Sequence, residues 1–491
     1  MRREILYSED AGEAWAAVVE DGEVVEAAVE REGPDPIAGD IFSGLVRRVL
    51  PGMQAAFVDI GAEKAVFVHA ADVPSGIAPD APLAGGTRRI SDLLREGQRI
   101  LVQITKEALP DKGARATLHV SLPGRLLVHL PTVSQVALSR RIEDPAQRDC
   151  LTELMARVAR AGEGWIVRTA GADAAEGDIA AEADSLRRLW AVIARAEREL
   201  RGPARIHREE EVLGRLLRDL ANESLAAVIA DGEAAWAHAR SRIEALAPAA
   251  LSKLARHSGP RGTLMEYRQV HAVVDRALRP KIRLPSGGTI VISQTEALVA
   301  VDVNTARFVG ASTQEETALA TDLEAAREIA RQIRLRNLGG IIVIDFIDLQ
   351  EEESRGRVMA ALTEDLGRDR SRSRILDMSS FGLVQITRRR GSLSLDRVLM
   401  EDCPCCRGRG RVRSPQTLAH DIRSALGARP EAERRGGWIV RLNPGVASRL
   451  KEEAIRLPGD ETHGRVRIIP DQGLPPSRFS IEPAEDDSAG S

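Results

Sequence analysis

Two aspartates and one asparagine stand near the ends of two predicted strands. Asp302 and Asn304 lie two positions apart in LVAVDVN, so their side chains share one face of that strand. Asp345 ends the next apolar run, IIVID. Carboxylate and amide oxygens suit magnesium, which keeps several waters and is often held by one or two carboxylates plus a substrate phosphate. The three residues therefore indicate phosphodiester hydrolysis by a magnesium-activated water.

The segment between these residues predicts a helix that would bring them together. Apolar residues recur at three- and four-residue spacing, at Leu319, Leu323, Ala326, Ala330 and Ile333. A strand, a helix and a second strand form a crossover unit, so we expect Asp302 and Asp345 to lie close, at the ends of two buried strands. Paired buried carboxylates are costly without a cation. The alternative is structural: Asp302 caps a turn and Asp345 pairs with an arginine.

The expected products follow from the metal site. A metal-activated water does not require the ribose 2′-hydroxyl as nucleophile, and Asn304 would hold that water or a carboxylate. The nine histidines show no arrangement suited to a metal-free acid and base pair. We therefore expect products with a 5′-phosphate and a 3′-hydroxyl.

Three of the four cysteines lie in the sequence CPCC. Cys403 and Cys406 have the C-x-x-C spacing of a metal site, and a structural zinc needs four ligands. Two chains would supply four thiolates and form a homodimer around one shared zinc. Three alternatives remain: His420 as a third ligand from the same chain, Cys405 in place of Cys406, and a metal-free loop.

Residues 39–119 contain short strand-like runs with Gly-rich corners, which predict a small five-stranded barrel, and the OB-fold is the common barrel of this size that binds nucleic acid. Phe57 and Phe67 lie on adjacent predicted strands. They either belong to the core or form a platform for stacking bases, with Lys106 and Lys112 nearby for phosphate. The net charge of −4 argues mildly against a protein that coats nucleic acid, but clusters such as RDRSRSR and RGRGRVR favour a polyanionic substrate.

The length of the chain predicts several domains. The whole chain has 491 residues, which exceeds the size of one ordinary domain. Residues 208–250 are expected to be strongly helical. Neither a membrane span nor an apolar signal segment is evident, so we expect a cytoplasmic protein. Residues 414–491 predict a small α/β domain that ends in an acidic, unfolded tail.

Several runs of the sequence resemble the ribonuclease E/G family, in the family's order and over essentially the whole chain. They are RVLPGMQAAFVDIGAEKAVFVHAADV, IRLPSGGTIVISQTEAL, VDVNTARFVG, RQIRLRNLGGIIVIDFIDL and CPCCRGRG. The resemblance implies a multidomain α+β protein, laid out as follows: an RNase H-like subdomain split between residues 1–35 and 211–277, an inserted OB-fold RNA-binding domain at 36–119, a 5′-end sensor at 120–210, a DNase I-like catalytic subdomain at 278–398, a zinc link at 399–413, and a small C-terminal domain with its acidic tail at 414–491.

The resemblance also implies roles for individual residues. Asp302 and Asp345 would be the magnesium ligands, with Asn304 beside them, and the link cysteines would bind zinc between two chains. The implied pocket for a 5′-monophosphate comprises Gly124, Val128, Arg168, Thr169 and Arg372. Phe57, Phe67 and Lys112 would contact RNA. The link motif departs from the family pattern at Cys405, where another residue usually stands.

The implied function is cleavage of single-stranded, A/U-rich RNA, stimulated by a 5′-monophosphate. Some family members carry a long disordered extension that scaffolds a degradosome, and none is seen here. This favours a role in maturing the 5′ end of small-subunit ribosomal RNA and in mRNA decay, as a homodimer or a tetramer. The alternatives are a degradosome nuclease, a non-catalytic RNA-binding protein, and a metal-dependent phosphodiesterase acting on DNA. The paired carboxylates argue against a non-catalytic RNA-binding protein, since such a protein gains nothing from two acidic side chains beside a polyanion.

Overall fold

The chain has a mixed α/β fold, seen here in a computed structural model. The structure describes residues 1–10, 12–31, 37–74, 83–84, 87–108, 113–222, 224–305, 313–389, 392–406, 408–429, 437–452 and 466–484. The chain divides into two compact units, Met1–Leu399 and Met400–Ser491. In the described parts, no helix is both long enough and apolar enough to cross a membrane.

The strands of the first unit are β1 (Arg3–Asp10), β2 (Glu13–Glu20), β3 (Glu23–Arg31), β4 (Ile41–Leu50), β5 (Ala55–Asp59), β6 (Val66–His69), β7 (Leu83–Ala84), β8 (Thr87–Arg88), β9 (Arg99–Lys106), β10 (Arg115–Thr117), β11 (Leu122–Pro123), β12 (Leu127–Leu130), β13 (Val136–Leu138), β14 (Gly164–Val167), β15 (Ala204–His207), β16 (Leu225–Asp231), β17 (Leu254–Arg256), β18 (Lys281–Arg283), β19 (Thr289–Gln294), β20 (Leu298–Asn304), β21 (Gly340–Asp345), β22 (Ser373–Ile375) and β23 (Leu383–Arg388). Its helices are α1 (Ile90–Leu93), α2 (Pro145–Val158), α3 (Glu176–Glu199), α4 (Val212–Leu220), α5 (Gly232–Leu246), α6 (Leu264–Tyr267), α7 (Val270–Ala277), α8 (Gln314–Leu335), α9 (Glu352–Gly367) and α10 (Leu395–Leu399).

The first sheet combines strands that precede and follow a long inserted segment of the chain. Its strand order is β17-β16-β1-β2-β3. Strand β1 pairs in parallel with β16, with Tyr7 opposite Ala230. Residues 208–250, expected to be strongly helical, contain α4 and α5 but also the strand Leu225–Asp231, which the sequence did not predict. This apolar run is sandwiched between β1 and β17, and its Val228 is completely buried, so tertiary pairing overrides its helical composition.

A closed barrel follows, formed by β4, β5, β6, β10 and β9, with β9 returning to pair with β4. The five-stranded barrel expected for residues 39–119 is thus confirmed. Its interior is apolar and includes Val58, Val66 and Val102. Strand β15, from within the segment expected to be an end sensor, adds to the barrel sheet beside β4.

A smaller sheet of order β11-β12-β14-β13 lies against α2 and α3. Trp165 is fully buried and stacks on His129 with ring centroids 4.2 Å apart. Glu182 on α3 accepts hydrogen bonds from the backbone N–H groups of Leu126 and Leu127. The loop entering β12 is therefore held by helix α3.

The sheet that carries the expected catalytic residues has the order β18-β19-β20-β21-β23-β22. Helices α8 and α9 bury one of its faces, in a core that includes Ile329, Ile342 and Val358. The predicted crossover is confirmed, because β20 and β21 are adjacent and parallel with α8 between them in the chain. Side chains on the other face, such as Asp302 and Gln385, are exposed.

The second unit contains α11 (Pro415–Gly427), β24 (Trp438–Leu442), α12 (Pro444–Glu452), β25 (Val466–Pro470) and β26 (Phe479–Pro483). Its sheet has the order β25-β24-β26, and Trp438 packs in its core with Leu418 of α11. The described elements of this unit are two helices and three strands, and all of them lie within residues 415–483. Residues 485–491 of the expected acidic tail lie outside the described residues.

Candidate active site

Asp302 and Asp345 are opposite each other in the paired strands β20 and β21. Neighbouring strands lie about 4.8 Å apart, so the two carboxylates start from adjacent backbone positions. Along β20, Val301 and Val303 point into the core, whereas Asp302 and Asn304 are exposed. The amide Nδ2 of Asn304 donates to Oδ2 of Asp302 over 2.5 Å. The three residues chosen from the sequence therefore meet on one face.

These residues line a cleft of about 300 Å³, and the segment after β21 forms its other wall. That wall comprises Phe346, Ile347 and Asp348. The expectation that Asp302 and Asp345 are buried was wrong, because both side chains are exposed. Their strands are buried on the opposite face only, so desolvation does not require a cation here. The adjacency of two anionic groups remains the reason to expect one.

The donor set of the cleft fits magnesium. Its side chains offer carboxylate and amide oxygens, which hard cations prefer, and an open cleft leaves room for waters and a phosphate. In the described part of the chain, no group of three or more histidine, cysteine or acidic side chains is arranged to enclose a metal ion. Asp302 and Asp345 would thus leave most coordination positions to water and substrate.

Two carboxylates of α8 hold the segment after β21, and the sequence reasoning missed both. Oδ1 of Asp322 accepts from the backbone N–H of Ile347 over 3.2 Å. Glu315 accepts from the N–H groups of Gln350 and Glu351. Asp322 is completely buried, and this burial raises its pKa to about 7. The sequence did contain a signal for Asp322, because it is an acidic residue on the apolar face of a predicted helix.

Four of the five residues expected to bind a 5′-phosphate lie together around β12 and β14. Val128 pairs with Ile166 in these strands, and the backbone N–H of Arg168 donates to Leu126 just before β12. The Nη1 of Arg168 donates to the carbonyl of Gly124 over 2.5 Å. Thr169 follows directly and is exposed. These contacts form a polar edge of the small sheet.

The fifth residue, Arg372, lies in the segment after α9, and that segment is tied to the same edge. Arg168 donates through Nη2 to Oδ1 of Asp219 over 2.5 Å, and Arg370 donates to the other oxygen of Asp219 over 3.0 Å. Burial alone would raise the pKa of Asp219, but the surrounding guanidinium groups lower it. Arg372 itself is exposed. Asp219 and Arg370 were not foreseen, since their pairing joins distant segments.

Phe57 and Phe67 lie opposite each other on β5 and β6 of the barrel. Their rings meet edge to face, with centroids 6.0 Å apart. Both are half-buried, while Val58 and Val66 beside them fill the core. Arg48 is exposed and pairs with Phe57 across β4 and β5. The rings thus belong to an outer surface, while Lys112 lies outside the described residues.

The cysteine cluster lies in the second unit. Backbone N–H groups of Cys406 and Cys405 donate to the sulfur of Cys403 and lower its pKa. Cys403 and Cys405 are exposed and Cys406 is half-buried, and all three are free thiols. The turn therefore favours a thiolate at Cys403.

The fold and the cleft together define a class of protein. A closed barrel carries a half-exposed aromatic pair of the kind on which bases stack, and paired carboxylates on an exposed sheet face are of the kind that binds hard cations. These are features of an enzyme that acts on nucleic acid.

Comparison with known proteins supports and narrows this class. The model of the ribonuclease E/G family matches residues 121–391. The chain is 37% identical over 471 residues to ribonuclease G of Salmonella typhimurium (strain SL1344), which covers 95% of each chain. It is 36% identical over 424 residues to ribonuclease E of Escherichia coli (strain K12), which covers 86% of this chain and 40% of that protein. The chain belongs to the ribonuclease E/G family and is therefore a ribonuclease.

A solved structure also overlaps part of the chain. This complex, a/eIF2alpha–aDim2p–rRNA from Pyrococcus horikoshii OT3, has 20% identity and a TM-score of 0.14, and the overlap covers 26% of this chain and 56% of that one. So small a likeness supports no argument about fold or function.

Proposed function

We propose that this protein is a magnesium-dependent endoribonuclease that cleaves single-stranded, A/U-rich RNA to 5′-phosphate and 3′-hydroxyl products. The observation that carries the proposal is the pairing of Asp302 with Asp345 in adjacent strands, with Asn304 hydrogen-bonded beside them. Two carboxylates would repel an RNA phosphate unless a cation lay between them. A ribonuclease with such a cleft is therefore expected to be inactive without a divalent metal.

Asp302 and Asp345 would hold the metal. Bound magnesium supplies an acidified water and stabilises the charge that develops on the scissile phosphate. Asn304 donates to Oδ2 of Asp302 and so restrains the rotation of that carboxylate. The cleft is open, which suits an unpaired strand that can lay its backbone across the sheet. The barrel pair Phe57 and Phe67 would stack bases of the same strand.

A 5′-monophosphate would bind at the edge formed by Gly124, Val128, Arg168 and Thr169, with Arg372 from the neighbouring segment. Arginine grips a terminal phosphate through paired N–H groups, and the two acceptors of Arg168 hold its guanidinium in place. We further propose the split subdomain layout implied by the family and a zinc shared by a homodimer. The biological role would be ribosomal RNA 5′-end maturation and mRNA decay in the cytoplasm.

One experiment tests substrate, metal and end sensing together. Two versions of one A/U-rich oligoribonucleotide, 5′-monophosphorylated and 5′-triphosphorylated, are incubated with the protein in magnesium or in EDTA, and the product ends are identified. We expect cleavage in magnesium alone, faster on the monophosphate. A 2′,3′-cyclic phosphate on the products, or full activity in EDTA, would refute the metal mechanism.

The matching oligodeoxyribonucleotide serves as the substrate control. We expect this DNA strand to be a poor substrate, since the family acts on RNA. Equal cleavage of the two strands would instead support a general phosphodiesterase.

A further inference from the structure

Asp322 is an anomaly in the core beneath the active-site sheet. The helix positions one turn before and after it are Ala318, Ala325 and Ala326, and all three belong to the apolar core of that sheet. Asp322 is completely buried among them. Its Oδ2 has no hydrogen-bond partner among the described residues, and its side chain forms no ion pair there. An apolar side chain at this position would avoid the cost of burying a carboxyl group.

Within the described part of the chain, the one hydrogen bond of this carboxyl group leads to the cleft. Its Oδ1 accepts from the N–H of Ile347 over 3.2 Å. Ile347 comes two residues after Asp345 and lines the same cleft as Asp302. On the other side of Ile347, the N–H of Phe346 donates to the carbonyl of Gly382 over 3.3 Å. The segment leaving β21 is therefore held at successive residues, once by Gly382 just before β23 and once by Asp322 of α8.

We propose that Asp322 is a positioning residue that holds the backbone after β21, and thereby the carboxylate of Asp345, in the geometry needed for cleavage. The inference rests on the proposed function of Asp345. A buried N–H without an acceptor is costly, so removal of Asp322 leaves Ile347 to find another partner. The backbone then shifts, and Asp345 moves relative to Asp302. Misplacement of a catalytic group by about 1 Å can lower the rate by about a hundredfold.

A neutral acceptor is sufficient for this role. Burial without a cationic partner favours the protonated carboxyl, which is consistent with the raised pKa of Asp322. Asparagine has the same shape and keeps the acceptor oxygen, so it should replace aspartate. Leucine fills a similar volume but offers no acceptor. The two substitutions separate the hydrogen bond from packing.

The test compares the full-length parent with Asp322→Asn, Asp322→Leu and Thr321→Val. Thr321 is the matched control, because it is equally buried on α8 but donates only to the carbonyl of Thr317 in its own helix. The measurements are kcat and KM on the 5′-monophosphorylated oligoribonucleotide, with hydrogen exchange of residues 346–350. We expect Asp322→Leu to lower kcat about tenfold to a hundredfold, with KM within about threefold and faster exchange in that segment. The Asn and Val variants should stay within about threefold of the parent.

Each outcome decides the inference. A folded Asp322→Leu variant with parental kcat would overturn it, as would a kcat more than about tenfold lower in the folded Asn variant. If the leucine variant does not fold, the kcat of the asparagine variant decides the inference alone. A parent that fails to cleave RNA in magnesium would refute the proposed function itself. Cleavage by the parent together with a fully active leucine variant would refute only the role of Asp322.

Discussion

At the scale of single residues, the cleft depends on side chains that differ in exposure and in charge. Asp302 and Asp345 are exposed and lie side by side, whereas Asp322 lies buried beneath them in α8. The exposed pair is suited to bind a cation. The buried residue is suited to hold backbone. The two roles that we propose for aspartate therefore follow from its different surroundings.

Substitution of either exposed aspartate should abolish cleavage without loss of RNA binding. In Asp302→Asn or Asp345→Asn one anionic ligand is lost, while the aromatic pair on the barrel is untouched. We expect activity to fall at least about a thousandfold, as for the loss of a main electrostatic contribution to catalysis. Cleavage kinetics and a filter-binding assay provide the two measurements. Gln385→Ala, on the same exposed sheet face, is the control that should remain active. Substantial cleavage by either aspartate variant would show that the ligands are assigned wrongly.

The titration of Asp322 should make stability fall as pH rises. The carboxyl ionises near 3.8 in the unfolded chain but near 7 in the core, so the unfolded state releases its proton first. Stability is therefore greatest below the unfolded pKa and is lost as pH rises through the folded pKa. Relative to Asp322→Asn, the parent should lose about 2–3 kcal/mol between pH 5 and pH 8. Thermal unfolding of both proteins without magnesium measures this difference in stability. A stability difference between the two proteins that does not change with pH would contradict the prediction.

At the scale of elements, the proposed phosphate pocket lies at a junction of three segments. Arg168 comes from the end of β14, Asp219 from α4, and Arg370 from the segment after α9. Arg370 continues to Glu26 on β3, with an N–O distance of 2.7 Å. An arginine held in this way loses little conformational freedom when a phosphate binds.

Arg168→Ala should weaken the preference for a 5′-monophosphate and leave the chemistry intact. Loss of a charge-assisted contact costs roughly 1.5–3 kcal/mol, about tenfold to a hundredfold in relative rate. The measurement is the ratio of cleavage rates on monophosphorylated and triphosphorylated RNA. Arg188→Ala is the control, since Arg188 is an exposed arginine of α3 in the same part of the chain. Equal slowing on both substrates would indicate a structural role for Arg168.

At the scale of the whole molecule, the second unit provides thiolates but not a complete zinc site. In its described residues, no cluster of three or more metal-ligating side chains forms. Cys403 and its partner in the turn would supply two ligands, and a closed structural site needs four. A second copy of the chain would supply the remaining pair. This proposal connects metal content with oligomeric state.

We therefore expect about one zinc per two chains in a dimeric protein. The double variant Cys403→Ser with Cys406→Ser should lose both the metal and the dimer, because serine does not provide a thiolate. Metal analysis and solution mass are measured on the same samples, with Cys150→Ser as the control, since Cys150 is an exposed cysteine of the other unit. A full zinc on each chain, or a double variant that remains dimeric and zinc-loaded, would refute the shared site.

The sequence alone determined those features that depend on local periodicity. The alternation of valines with Asp302 and Asn304 places both polar side chains on one face, and the spacing of apolar residues in α8 predicts the helix before β21. The barrel was predictable in the same way, from short runs between glycines. Such patterns persist because each element must bury one face regardless of its partners.

The tertiary structure alone decided how distant segments meet. The register that places Asp302 beside Asp345, the strand at Leu225–Asp231, and the sharing of Asp219 between two arginines all depend on pairings across the chain. Exposure of Asp302 and Asp345 and burial of Asp322 depend on which sheet face the helices cover. No local spacing encodes these features, because the energies that select them arise only when separate segments pack together.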